Sequence, residues 1–346
     1  MPGLVRKHFG LLESGAIAEL YSLENSNGMK VCLTNYGATL TEITVPVNNK
    51  RVNVLLGFDN LEAYLNPHPY LGNIVGRFAN RVGGACFQLN GETFKLYKND
   101  NENSLHGGKK GFDKQLWKVE SVEDSEEPTI DLSYTSPHLD EGYPGELYTK
   151  VSYQVSKNNE LRIKLFATTD KATPVNLTSH GYFNLKGAGN GDILDHLITV
   201  KASHYTPVDK NLIPTGEIAT VEGTLFDLQE PTTLRKTVFE IPPGIDHNFV
   251  IDGKQEQLKL AAILEEPNSH LVMEVHTSQP GIQVYTGNFL DGTLSGNGGS
   301  YHKHYGICLE TQHFPDSVNK PHFPKTILEP GEEYRHTIIY KFKQTS

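Results

Sequence analysis

Apolar and polar residues alternate along much of the chain with a period of two, the repeat that turns one side of a strand inward and the other outward. Val151, Tyr153 and Val155 alternate with Ser152, Gln154 and Ser156, and Asn158-Asn159 then supplies turn formers. Leu161, Ile163 and Leu165 follow, alternating with Arg162, Lys164 and Phe166, so the spacing predicts a hairpin. A second hairpin is expected over residues 87–96 around Asn90-Gly91, a pair that tolerates the positive φ angles of a type I′ turn. A third is expected to join residues 271–275 to 282–285 through Ser278-Gln279-Pro280-Gly281, and residues 337–342 read as a late strand after Glu329-Pro330-Gly331. Helical periodicity is scarce. Residues 60–65 predict one short helix, capped by Asp59 or Asn60 and stopped before Asn66-Pro67.

Strands and turns run evenly from end to end, without a linker, a low-complexity tract or a repeat. With 32 Gly and 19 Pro in 346 residues, the composition fits many turns. The expected fold is all-β, a large antiparallel β-sandwich with few short helices, formed by residues 1–346 as one domain. A sheet face left uncovered in such a sandwich is a natural place for a polar site.

The net charge of -10 argues against nucleic acid or an anionic membrane as partner. Lys109-Lys110, the only hint of a basic cluster, reads as a solvated loop. Cys32, Cys86 and Cys308 are few and far apart, which suggests reduced thiols and a cytoplasmic protein. No apolar leader or run of about 18 apolar residues is present, and Asn176-Leu177-Thr178 is read as a chance glycosylation pattern. No association segment stands out, and a monomer is expected.

Of the 15 histidines, His8, His68, His138, His270 and His322 lie in turn-like segments, where a solvated ring is the default. His302 and His304 could start a metal site, but no further ligands stand at convincing spacing, so none is expected. Three contexts have more chemical content. His106 precedes Gly107-Gly108, which let backbone approach a ligand closely. His180 lies among small polar residues and glycine in Thr178-Ser179-His180-Gly181-Tyr182. Glu310 ends the apolar run Ile307-Cys308-Leu309, where a carboxylate either reaches solvent or enters a pocket that raises its pKa. Each alone has a bland reading, as a loop histidine or a surface acid.

Together they coincide with a family. The chain resembles the aldose 1-epimerases over nearly its whole length, through residues 73–81 (NIVGRFANR), 103–108, 179–185, 244–249 (GIDHNF), 281–290 and 309–314. The resemblance implies a galactose mutarotase-like supersandwich that interconverts the α and β anomers of hexoses such as galactose and glucose. It implies Glu310 as base, His180 as acid and His106 as a second histidine near the ring oxygen. Asn80, Arg81, Tyr182, Asp246 and Gln283 would join these three in binding the sugar. Ring opening and reclosure involves no redox step, so no cofactor is implied, and no GxGxxG turn in a βαβ context is present. Glu310 is expected to be ionised at neutral pH, and His180 to be shifted up by a nearby carboxylate. Three other readings remain: a glycoside hydrolase using Asp246 and Glu310, a non-catalytic sugar-binding protein, and a hexose 6-phosphate epimerase. The last should gather several Lys or Arg, and only Arg81 is in view.

Overall fold

The alternating segments become strands whose apolar sides meet in a shared core. The computed structural model describes residues 3–254 and 256–345. The largest sheet has nine strands in the spatial order Lys118–Glu123, Thr129–Ser136, Leu147–Val155, Glu160–Thr169, Tyr334–Gln344, Leu271–Thr277, Lys259–Glu266, Leu197–Val200 and Thr232–Thr233. A six-stranded sheet runs Tyr182–Phe183, Ile307–Gln312, Gly281–Tyr285, Asp246–Val250, His204–Tyr205 and Ala219–Thr220. The N-terminal meander makes a five-stranded sheet from Gly3–Leu11 to Lys50–Asn53. Neighbouring strands in all three sheets are antiparallel.

One apolar cluster takes side chains from every sheet: Leu23, Val31 and Leu33; Val151, Tyr153, Ile163 and Leu165; Phe249, Ile282, Val284, Ile307 and Leu309. Each fully buried side chain of this size is worth about 1.5–3 kcal/mol. That driving force fixes register, because a slip of one residue would turn every apolar side chain outward.

The first two expected hairpins form. Tyr153 pairs with Ile163 and Val151 with Leu165, and the turn closes through Asn159 at φ 57°. In the second, Asn90 and Gly91 both take positive φ, at 52° and 83°. The third is overturned: its two strands do not pair. Leu271–Thr277 lies between Lys259–Glu266 and Tyr334–Gln344 in the large sheet, whereas Gly281–Tyr285 lies in the six-stranded one. Residues 278–280 carry the chain across. Ser278 N–H still bonds Thr337 of the large sheet, and the Pro280 carbonyl already accepts from Ile251 beside the smaller one. Gly281–Tyr285 is buried on both sides, so it needs cover that a simple hairpin would not give.

The expected helix forms as Leu61–Leu65, and Asn60 rather than Asp59 caps it by accepting from Ala63 N–H at 2.9 Å. A second helix, Leu234–Glu240, was not expected; its buried Leu234, Thr237 and Val238 cover too few turns for a periodic signal. His8, His138, His270 and His322 are exposed as expected, as are Lys109 and Lys110. His68 is not solvated. It packs edge-on against Phe58 and Tyr64, accepts from Leu71 N–H, and burial lowers its pKa to about 4. His302 is exposed while His304 is buried with Nδ1 at 2.7 Å from the Thr286 carbonyl, so the two face different surroundings.

Candidate active site

Period-two geometry in the six-stranded sheet builds the floor of a cleft. Ile307, Leu309, Ile282 and Val284 face the core, so Cys308 and Glu310, and across from them Tyr285 and Gln283, face the other way. One strand further, Asp246 pairs with Tyr285 and Asn248 with Gln283. Tyr182 pairs with Cys308 on the opposite flank. Glu310, Gln283 and Asp246 are thereby placed on neighbouring strands, and Gln283 Nε2 donates to Asp246 Oδ1 at 2.6 Å. The face is not open. Loops wall it, and Glu310 is 2% exposed.

His180 comes from the turn between Thr178–Ser179 and Tyr182–Phe183, and its backbone is bonded on both sides to the 72–73 segment. Its Nε2 lies 3.6 Å from Glu310 Oε1. Cys308 Sγ sits 3.6 Å from its Nδ1. His106 follows the short strand Ser104–Leu105, which pairs with Arg81–Val82. Asn80 N–H donates to His106 Nδ1 at 3.1 Å, and His106 N–H donates to the Asn80 carbonyl. That bond leaves the neutral ring's proton on Nε2 and makes His106 a donor. Gly107 is required here. At φ 89° a Cβ would stand 1.9 Å from the Gly76 carbonyl oxygen.

Arg81 reaches the cleft on the leash of Asp100, whose Oδ2 accepts from Nε at 2.9 Å, and its NH1 lies 3.9 Å from Asp246. Arg77, four residues earlier in the same motif, serves the fold instead. It is buried and donates to the carbonyls of Ser136, Pro137, Pro144 and Gly145.

All eight expected residues, Asn80, Arg81, His106, His180, Tyr182, Asp246, Gln283 and Glu310, line one cleft. Pro69, Tyr70, Leu105, Tyr285 and Phe289 complete the wall. None of these five was picked out from the sequence, and neither were Asp100 and Cys308. Apolar and aromatic side chains look like core in a single sequence, and only their placement makes them wall. Arg81 is the only Lys or Arg in the lining, which leaves no basic cluster for a phosphate.

The electrostatics correct one expectation. Burial first, and the Asp246 charge second, push the Glu310 carboxyl well above its ordinary range, with Arg81 pulling the other way. Burial lowers His180 to about 3, opposite to the upward shift expected from a carboxylate neighbour. Desolvation thus works against charge on both members of the pair and favours their neutral forms. Burial, His180 and Arg81 lower His106 as well. Asp246 is raised by burial and pulled back by Arg81 and Gln283. Glu310 Oε2 and Gln283 Oε1 are buried without a hydrogen-bond partner, and the hydroxyls of a ligand would satisfy them. Among the described residues, His106, His180 and Glu310 are the one His/Cys/Asp/Glu trio with donor atoms within 4.8 Å of each other. Distance alone would suit an ion.

The family model described as aldose 1-epimerase matches residues 19–341. The chain is 47% identical over 346 residues to the galactose mutarotase of Bos taurus and 46% identical to that of Sus scrofa, covering 99% of each chain in both cases. Its structure superposes on that of galactose 1-epimerase from Lactobacillus acidophilus with a TM-score of 0.87, at 28% identity and full coverage of both chains.

Proposed function

Because the chain belongs to the aldose 1-epimerase family and is an isomerase of that type, we propose that Glu310 and His180 interconvert the α and β anomers of hexoses such as galactose and glucose by acid–base ring opening. The observation that carries this reading is the pair itself: an imidazole Nε2 and a carboxylate Oε1 3.6 Å apart in a cleft lined by hydroxyl-binding groups.

Glu310 takes the proton of the C1 hydroxyl as the C1–O1 bond becomes a carbonyl. The C1–O5 electron pair leaves with the ring oxygen, which takes a proton from His180. Rotation about C1–C2 turns the other carbonyl face toward O5. Closure then runs backwards: O5 attacks C1, its proton returns to His180, and Glu310 returns a proton to O1. No proton is gained or lost overall. Entry to this cycle needs ionised Glu310 and protonated His180, which hold the same single proton as the neutral pair. Sugar hydroxyls donating to Glu310 favour its charged form and so move that proton across. His106, already a donor, steadies the ring oxygen. Arg81 and Asn80 donate to hydroxyls, Asp246 and Gln283 bind others, and Tyr182 walls the ring.

Polarimetry on fresh α-galactose tests the reading: equilibration should be accelerated, and Glu310→Gln should remove nearly all of the acceleration without unfolding the protein. A folded variant with full activity would sink the assignment. A hydrolase reading has less support, because Glu310 stands against an imidazole at 3.6 Å, whereas such enzymes work with two carboxyls.

The three unpaired cysteines support a reducing compartment, and we place the enzyme in the cytoplasm, in hexose and galactose metabolism. No helix among the described residues is long and apolar enough to cross a membrane. The apolar cluster shared by all three sheets supports a single domain over residues 1–346, acting as a monomer.

A further inference from the structure

Tyr70 has a backbone conformation that a bulky side chain rarely takes, with φ at 57°. The loop around it is tied down tightly enough to hold it there. Leu71 N–H donates to His68 Nδ1, Asn73 N–H to the Tyr70 carbonyl, and Gly72 N–H to the His180 carbonyl, while His180 N–H returns a bond to Asn73. The segment carrying Tyr70 and the segment carrying His180 are therefore one hydrogen-bonded unit. Costly conformations that are held this way cluster at functional sites.

The conformation puts the phenol ring against both imidazoles of the site. Its centroid is 4.5 Å from that of His106, tilted by 58°, and 5.8 Å from that of His180, nearly parallel at 25°. Tyr182 also stacks on His180, at 5.1 Å and 22°. His180 is thus packed against two tyrosines, and Tyr70 is the one placed by strained backbone. Its phenol lies beside Asn99, whose amide donates to the Leu105 and Gly108 carbonyls on either side of His106.

We infer that Tyr70 is a further positioning residue of the reaction, whose ring wedges His106 and His180 into their working orientations and keeps water from both. The inference rests on the acid–base reading of the site. The ring does this by shape and apolar area, and its hydroxyl is not needed. Other charged or titratable groups face the same rings. Around His180 these are Glu310, Cys308, Tyr182, His106 and His68; around His106 they are His180 and Arg81. None of these covers the two rings together. Removing the Tyr70 ring should therefore rehydrate both.

The experiment compares Tyr70→Ala, Tyr70→Leu and Tyr70→Phe in the full chain, by anomerisation kinetics and by NMR titration of the imidazole Cε1–H signals. Those signals are assigned with His180→Asn and His106→Asn. Tyr70→Ala should lower kcat about 10- to 100-fold, the scale of loss when a catalytic group is misplaced by about an ångström, with KM within about threefold. The His180 midpoint should rise toward 6.5, and Tyr70→Phe should restore both readouts. If Tyr70→Ala fails to fold, Tyr70→Leu carries the same comparison with the volume largely kept. Unchanged kcat and midpoints in folded Ala or Leu variants would overturn the inference. So would a Phe variant as impaired as Ala, which would place the role in the hydroxyl. The imidazole titration needs no turnover. If Glu310→Gln and His180→Asn proved fully active, the acid–base reading would fall while the midpoints still reported on Tyr70.

Discussion

On one face of the six-stranded sheet, Phe249, Ile282, Val284, Ile307 and Leu309 pack into the core with no more than 1% exposure. One residue away along the same strands, Asn248, Gln283, Cys308 and Glu310 are almost as deeply buried, yet polar. The first face follows the ordinary rule that apolar area leaves water. The second breaks it, leaving Asn248 Oδ1, Gln283 Oε1 and Glu310 Oε2 buried without partners. An unsatisfied buried polar group costs about 1–3 kcal/mol. The core face can offset that cost because strands shared by both faces tie the two together. Stability and function thus lie one side chain apart on the same backbone, and substitutions on each face should have opposite signatures.

The largest expected effect is on the polar face. Glu310→Gln should lower kcat about a thousandfold, within the range known for general acid–base groups. The midpoint of denaturant unfolding should stay level or rise, since the amide keeps the size of the carboxyl and removes a buried group that is costly to ionise. A large drop in stability would mean that Glu310 belongs to the fold, and the contrast would fail. The mirror experiment is Ile307→Ala. It should cost about 2–5 kcal/mol of unfolding free energy by cavity formation, with kcat/KM within a few-fold of the parent at temperatures where the protein stays folded.

A smaller effect is expected where the two roles meet. Asp100→Ala removes the leash on Arg81 and should raise KM about tenfold while kcat changes little, as expected for a lost charge-assisted bond. Acid should reveal the polar face in another way. His180, His196 and His313 are buried and His68 and His336 half-buried, and desolvation lowers their pKa values to about 3, 4, 3, 4 and 4. The unfolded chain binds protons at these sites below pH 6.5 and the folded one does not. The contribution of these histidines to stability should therefore be full above about 6.5 and be lost as pH drops toward 4, whereas the acid limb of kcat/KM should lie below the usual histidine value. A limb at 6.5 or above would contradict a desolvated His180. The smallest effect should come from chelation: incubation with EDTA should leave the rate unchanged, and lost activity restored by a divalent ion would recast the histidine–glutamate trio.

Much of this was legible in the residues. Period-two runs and Asn-Gly turns are local physics, so the hairpins over residues 151–165 and 87–96 and the short helix over 60–65 could be read directly, though not which of Asp59 and Asn60 caps it. Strand partners were less secure. Residues 271–275 and 282–285 look like a hairpin from their spacing, but the core needed them in different sheets. His106, His180 and Glu310 stood out by local context, but their roles and the other five site residues were legible only through the family resemblance. Asp100, Cys308 and Tyr70 carried no signal, because an acid in a turn, a cysteine in an apolar run and a tyrosine after proline have ordinary meanings one at a time.

By itself, the sequence determined which side of each strand is apolar, where the chain turns, and which residue types are available for proton transfer. Tertiary structure alone decided that Glu310 and His180, 130 positions apart in the chain, stand 3.6 Å apart. It also decided that both are buried, which shifts each toward its neutral form. The reason is the range of the forces involved. Alternation and turn preference act over a few residues, whereas desolvation depends on everything packed around a group, and that is set only when distant strands have met.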